Sequence, residues 1–145
     1  MSALLSSRCP PAETAAPAAA EAVKLGPPVP ILRSFDEGQA RAFWCDWLGF
    51  EVQWENRFAP DLPLYVQIRR DACIIHLSGH HGDCTPGSAL RVEVTDIDAC
   101  LADLETRPYA NARPGIVDQS WGDREIRLTD PFGNTVVFWQ TRTEV

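Results

Sequence analysis

The sequence predicts an α+β domain made of two tandem βαβββ modules. Two observations support this prediction. The first is that the sequence contains two amphipathic helices, each with a short strand before it and three strands after it. The segment from Arg33 to Asp36 aligns with the segment from Glu93 to Asp96, which places both halves in the same order. An internal repeat of this kind indicates a fold more strongly than any single element does.

The first helix is the clearest element and follows a short strand at residues 29–34. Asp36 is a good N-cap, Gln39 can complete a capping box, and Gly49 ends the helix as a C-cap. One apolar stripe with helical spacing lies between these ends, at Ala40, Phe43, Trp44, Trp47 and Leu48. So many aromatic side chains on one stripe predict heavy packing against a sheet.

Three strands are predicted after this helix, at residues 50–58, 64–69 and 72–78, with Arg70-Asp71 as a tight hairpin turn. In the last strand Cys73, Ile75 and Leu77 alternate with more polar positions. The apolar set should meet the helix, so His76 is expected on the opposite face of the sheet.

The second half repeats the order, with a strand at residues 89–94 and a helix that Asp96 caps. The helix stripe is Ile97, Cys100, Leu101 and Leu104. Three further strands are predicted at residues 112–117, 123–129 and 135–140. Asp130 to Asn134 reads as the last hairpin turn, where Gly133 can take a positive φ, and we expect no chemistry from it.

Length, composition, net charge and cysteine content limit the class of protein. At 145 residues the chain is one domain long, and we assign residues 28–142 to it, with modules at about 29–86 and 87–141. Residues 1–27 are rich in Ala and Pro and are predicted to be a flexible extension. A net charge of −7 argues against nucleic acid, and no apolar run is long enough for a membrane span. Five cysteines without a CxxC pair are typical of reduced thiols in a cytoplasmic protein.

Several motifs spread over residues 29–140 carry a family resemblance. They are Val29-Pro30-Ile31-Leu32, Ala42-Phe43-Trp44 with Leu48-Gly49-Phe50, Asp96-Ile97-Asp98, Trp121-Gly122 and Asp130-Pro131-Phe132-Gly133-Asn134. The chain resembles the vicinal oxygen chelate (glyoxalase/bleomycin resistance/dioxygenase) superfamily, and within it the bleomycin resistance branch most. The resemblance implies a partly open barrel of sheets lining a cleft, and a homodimer with ligand grooves at its interface.

The same resemblance indicates which positions would hold the ligands of a metal ion. Metal-dependent members take His, Gln or Glu ligands from four strands that line the cleft. The matching positions at 29–31, 88–90 and 136–138 hold no such ligand here, and Val137 stands where a Glu is usual. Only His76 remains, so no metal or other cofactor is expected. A non-standard site built from His76, His80, His81 and Asp83 stays open, which would make the protein a lyase or dioxygenase.

Alternation along the strands predicts which side chains face the cleft. They are His76, Arg91, Glu93, Glu125 and Arg127. The aromatic candidates are Trp54, Tyr65 and Trp121, and the two tryptophans belong to no predicted core stripe. An aromatic wall with a few polar groups suits a planar, amphipathic or cationic ligand. The family position of Trp121 flanks a drug groove.

The sequence therefore predicts a metal-free protein that binds a small molecule and confers antibiotic resistance by sequestering it. A bleomycin-type cationic glycopeptide is one candidate ligand. No nucleophile–base motif is present, which argues against an enzyme. A dimeric domain that binds no ligand is the remaining alternative.

Overall fold

The computed structural model describes residues 22–142, so most of the predicted extension, residues 1–21, lies outside the described residues. The strands of the first module are β1 (Ile31–Arg33), β2 (Glu51–Asn56), β3 (Tyr65–Arg70) and β4 (Cys73–Ser78). Those of the second are β5 (Ala89–Glu93), β6 (Ile116–Asp118), β7 (Asp123–Thr129) and β8 (Thr135–Thr141). The helices are α1 (Glu37–Ala40), which continues directly as a π-helical segment (Arg41–Trp47), and α2 (Ile97–Glu105).

The two modules have the same topology, which confirms the predicted α+β repeat. The first sheet has the strand order β1-β4-β3-β2 and the second the order β5-β8-β7-β6. In each sheet the first strand runs parallel to the last, and the other pairs are antiparallel. The sheets remain separate, with β1 and β5 each at an edge, so the barrel is not closed.

The first helix begins and ends as its sequence predicts. The Asp36 carboxylate accepts from the backbone N–H of Gln39 at 2.8 Å, and Gly49 has a φ of 80° just beyond the end. Its second part is π-helical, and the backbone N–H of Leu48 donates to the carbonyl of Phe43, five residues earlier, at 3.0 Å. The sequence did not predict this wider turn.

Two details of the strands differ from the prediction. Arg70 pairs with Cys73 across the β3–β4 hairpin, so the two-residue turn is Asp71-Ala72, one position later than expected. Asp71 takes the positive φ of 53° that a two-residue turn requires. Strand β6 is also shorter than predicted, because pairing with β7 begins only at Ile116.

One hydrophobic core joins both modules and lies on the helix side of both sheets. Phe43 and Trp44 from the first helix are fully buried in it, as are Ile75 from β4 and Ile126 from β7. Each buried indole finds an acceptor in the other module, because Trp47 donates to the carbonyl of Leu104 at 3.1 Å and Trp44 to a carboxylate described below. Neither described helix has the length and apolar character needed to cross a membrane.

The Asp130–Asn134 segment forms the expected turn, and it also carries a buried hydrogen-bond network that the sequence did not predict. Asp130 is buried, and its carboxylate accepts from the Trp44 indole at 3.2 Å and the Asn134 side-chain amide at 2.9 Å. It also accepts from the backbone N–H groups of Phe132 and Asn134 at 2.9 and 2.8 Å. The Asn134 amide further donates to the carbonyl of Arg33 at the end of β1. The turn therefore connects the first helix and first strand to the second module.

Replacing Asp130 by Ala should destabilise the protein by about 3 kcal/mol or more, because buried donors lose their acceptor. Urea unfolding followed by far-UV circular dichroism measures the change. Asp61→Ala, in an exposed loop, is the matched control and should stay within about 0.5 kcal/mol of the parent. Equal effects of the two substitutions would contradict the role assigned to Asp130.

Candidate functional site

Each sheet has one face turned away from the core, and we call these the first and second open faces. The register of β1 to β4 puts Ile31, Trp54, Tyr65, Gln67 and His76 on the first open face. The register of β5 to β8 puts Arg91, Glu93, Glu125, Arg127, Val137 and Trp139 on the second. These faces carry most of the residues that the sequence nominated.

An aromatic cluster surrounds His76 on the first open face. The rings of Trp54 and Tyr65 are nearly parallel, with centroids 6.0 Å apart, and both present an edge-to-face contact to the imidazole. Trp54 is 42% exposed, so this indole is not part of the hydrophobic core. The three residues that sequence reasoning placed together do lie together.

A chain of side-chain hydrogen bonds runs through the same cluster, and we call its members, Tyr65, His76, Gln67 and Gln53, the polar chain. The Tyr65 hydroxyl lies 2.7 Å from His76 Nδ1, and His76 Nε2 lies 2.7 Å from Gln67 Oε1. The Gln67 amide in turn donates to Gln53 Oε1 at 2.6 Å. Burial lowers the pKa of His76, so the imidazole is neutral at pH 7.

The second open face carries a charged cluster. The Arg91 guanidinium donates to Glu125 at 2.7 Å and to Asp123 at 3.1 Å, and it lies 5.2 Å from the ring centroid of Trp139. Glu125 is only 4% exposed, and its other oxygen accepts from the Gln119 amide at 3.1 Å. The cluster holds two carboxylates against one guanidinium and so has an acidic excess.

Trp121 stands at the rim of this second face. Its side chain is 64% exposed, and its indole N–H donates to Asp123 at 3.2 Å. Gly122 follows with a φ of 104°, a conformation that favours glycine. A large indole held in place by one hydrogen bond, with most of its surface in solvent, is suited to packing against a ligand.

The four positions that would have to hold a metal ion do not suit one. On the open faces, Ile31 pairs with His76, and Arg91 pairs with Val137 in the equivalent register of the second module, one position after the range 88–90 expected from the sequence. Two aliphatic side chains, a guanidinium and a single imidazole are not a metal-binding set. Both nitrogens of His76 already have hydrogen-bond partners.

The loop after β4 does not assemble the alternative site either. Ser78 donates to the Asp83 carboxylate at 2.6 Å, and the buried Arg33 donates to the carbonyls of Ser78 and Cys84. The His80 ring packs edge-to-face on Phe58. Across residues 22–142, no three His, Cys, Asp or Glu side chains come close enough together to hold a metal ion.

The thiols of the described chain are not activated for nucleophilic attack. Burial raises the pKa values of Cys45, Cys73, Cys84 and Cys100. Each thiol therefore stays protonated near neutral pH, whereas a nucleophilic cysteine needs a lowered pKa. Covalent catalysis by one of these four thiols is therefore not favoured.

One cavity lies between residues of the two modules. It has a volume of about 980 Å³ and lies between the segment Pro28–Pro30, the start of β4 and strand β5 with α2. Arg91 and Glu93 line it, but His76, Tyr65 and Trp121 do not. Among the described residues, therefore, this cavity does not bring the two open faces together.

Sequence reasoning missed several members of both clusters. Gln67 was detectable, because it alternates with Val66 and Ile68 on β3 and lies opposite His76. Asp123 and Trp139 also follow from alternation along β7 and β8 once the register is known. Gln53 had no such signal, because it sits where a register shift interrupts the β2–β3 pairing.

Comparisons with known proteins agree with this architecture. A family profile described as glyoxalase superfamily protein matches residues 14–144. A search of curated protein sequences finds no match.

Solved structures provide parallels in fold. A bleomycin-binding protein complexed with bleomycin is 18% identical, with a TM-score of 0.60 over 81% of this chain and 100% of that one. A bleomycin resistance determinant encoded on the transposon Tn5 is 17% identical, with a TM-score of 0.62 over 82% and 100%. A putative glyoxalase family protein from Bacillus anthracis is 16% identical, with a TM-score of 0.60 over 84% and 99%. At these identities the likeness concerns the fold.

The polar chain makes stability depend on pH in a definite direction. Because the folded pKa of His76 lies below 6.5, the unfolded chain takes up the proton first as the pH falls. The free energy of unfolding should therefore decrease as the pH falls below 6.5 towards the folded pKa of His76, and level off below that pKa. Urea unfolding at a series of pH values should show a shallower slope for His76→Gln. An unchanged slope for His76→Gln would contradict the assignment.

The charged cluster makes a second prediction. Arg91→Met should cost about 1–3 kcal/mol of stability, because it leaves the buried Glu125 without its cation. Adding Glu125→Gln should restore part of the loss, since a neutral amide needs no counter-ion. Arg127→Met, an exposed change on the same face, is the control and should have little effect. Chemical unfolding of the parent, Arg91→Met, Glu125→Gln and the double variant measures the coupling, and strictly additive losses would refute it.

Proposed function

Since the chain belongs to the glyoxalase superfamily, we propose that it is a metal-free protein that binds a small molecule in the manner of bleomycin resistance proteins. The observation that carries this proposal is the placement of exposed indoles on the sheet surfaces away from the core. Trp54 lies on the first open face and Trp121 at the rim of the second, each beside an ordered polar cluster. Aromatic walls with a few convergent polar groups are typical of ligand sites.

The ligand class follows from the composition of the two faces. A planar aromatic group can lie against the indoles, and a cationic group is favoured by the acidic excess around Arg91 and by the net charge of −7. A solved structure with the same fold is that of a bleomycin-binding protein with its drug. We therefore propose a bleomycin-type cationic glycopeptide as the ligand. Resistance would follow from stoichiometric sequestration in the cytoplasm.

A homodimer would complete the site. Parts of both open faces, among them Trp54 and Trp121, are exposed to solvent, and within residues 22–142 β1 and β5 are edge strands with no strand on one side. A second copy placed across these edges would bring a first open face opposite a second one and enclose a ligand between Trp54 and Trp121. Size-exclusion chromatography with light scattering should accordingly give a dimer mass.

The binding proposal is tested by titrating bleomycin while following tryptophan fluorescence and melting temperature. A bound drug should quench the fluorescence and stabilise the fold, by about 2.7 kcal/mol at a hundredfold excess over Kd. Trp121→Ala should abolish or strongly weaken both responses. Phe35→Ala is the matched control, because Phe35 is equally exposed but lines a cavity on the helix side of the first sheet.

Two outcomes would overturn the proposal. Stoichiometric metal in protein purified without chelator, lost in His76→Ala, would instead support a metal-dependent lyase or dioxygenase. The absence of any quenching or stabilisation by bleomycin at millimolar concentration would reject the drug as ligand. If a panel of planar cationic compounds also failed, a domain without a ligand would be the better description.

A further inference from the structure

The hydrogen bonds of the polar chain can be assigned donors and acceptors, starting from the side-chain amide of Gln67. Gln67 Nε2 donates to Gln53 Oε1 at 2.6 Å, so the carbonyl oxygen of the same amide is the atom that faces His76. An amide oxygen can only accept, so the proton of this bond belongs to His76 Nε2. His76 is therefore in the Nε2–H tautomer.

The direction continues to Tyr65. With the proton on Nε2, a neutral imidazole presents a lone pair at Nδ1, and the Tyr65 hydroxyl donates to it over 2.7 Å. Burial and the nearby Asp83 carboxylate raise the pKa of Tyr65, so this phenol keeps its proton. Because that one proton is committed to His76, Tyr65 Oη can offer a ligand only lone pairs.

The aromatic neighbour of this oxygen faces solvent. The Trp54 ring is nearly parallel to the Tyr65 ring, at an interplanar angle of 6°, and is 42% exposed. Tyr65 is itself only partly buried, so a flat group that enters beside the two rings can contact the exposed indole and reach the phenol oxygen. An N–H or O–H on the edge of that group could donate a hydrogen bond to the phenol oxygen. A carbonyl or an alkylated nitrogen has no hydrogen to donate and would be left without a partner there.

We propose that the first open face selects planar aromatic or heteroaromatic groups that carry an N–H or O–H donor, received by Tyr65 Oη. The inference rests on the proposed function and specifies the recognition group of that site. It also assigns His76 the role of a positioning residue, which orients the phenol and does not itself contact the ligand. Tyr65 becomes the residue that determines specificity.

The first test concerns the hydrogen-bond direction and needs no ligand. The ¹⁵N chemical shifts of the imidazole at neutral pH should report the Nε2–H tautomer for His76. Tyr65→Phe should leave Nδ1 without its donor and shift that signal. Tyr109→Phe changes the other tyrosine, which stacks on Trp47 in the core region, and should leave the His76 signals unchanged. The Nδ1–H tautomer at His76 would overturn the inference.

The second test compares benzimidazole with 1-methylbenzimidazole, which has the same ring but no donor. Both are titrated into the protein while the indole N–H signal of Trp54, identified by its loss in Trp54→Phe, is followed by NMR. Benzimidazole should bind about five- to tenfold more tightly, the effect of one hydrogen bond. The preference should disappear in Tyr65→Phe and persist in Tyr109→Phe.

The outcomes separate this inference from the proposed function. Equal binding of both compounds to the parent protein overturns the inference and leaves the binding function intact. Failure of both compounds, with bleomycin still bound, likewise overturns only the inference. Failure of both compounds and of bleomycin overturns the inference together with the proposed ligand.

Discussion

The buried carboxylate of Asp130 is the interaction on which the arrangement of the two modules depends. It accepts from side chains and backbone at once, and one of its donors, the Trp44 indole, comes from the helix of the other module. Asn134 extends the connection to the carbonyl of Arg33. An ionised group out of water is stable only when it is paired or fully hydrogen-bonded, so this network and the relative position of the modules form together.

The open faces are a consequence of that arrangement. Because both helices pack against a shared core on one side of the sheets, the other side carries no helix among the described residues. The polar side chains there are nevertheless ordered by one another, through the polar chain on the first face and the Arg91 cluster on the second. Side chains ordered before a ligand arrives lose less conformational entropy when it binds, which favours recognition.

The parts of the fold that depend on local periodicity could be predicted from the sequence. Both helices, all eight strands and the outward placement of His76 followed from spacing, capping and alternation. The role of Asp130 could not, because its partner Trp44 lies 86 positions away and only packing brings the two together. The place of Gln53 in the polar chain depends on a register shift, and no pattern of residue types reports one.

Equivalent positions of the two modules carry different side chains. His76 of the first module corresponds in register to Val137 of the second, and Ile31 corresponds to Arg91. The repeat therefore presents a neutral, acceptor-rich aromatic face on one side and a charged face with an acidic excess on the other. Two copies of one face would suit a symmetric ligand, whereas these unlike faces suit a molecule with a flat donor-bearing end and a cationic end. The difference between the two faces therefore comes from divergence between the repeats more than from any single residue.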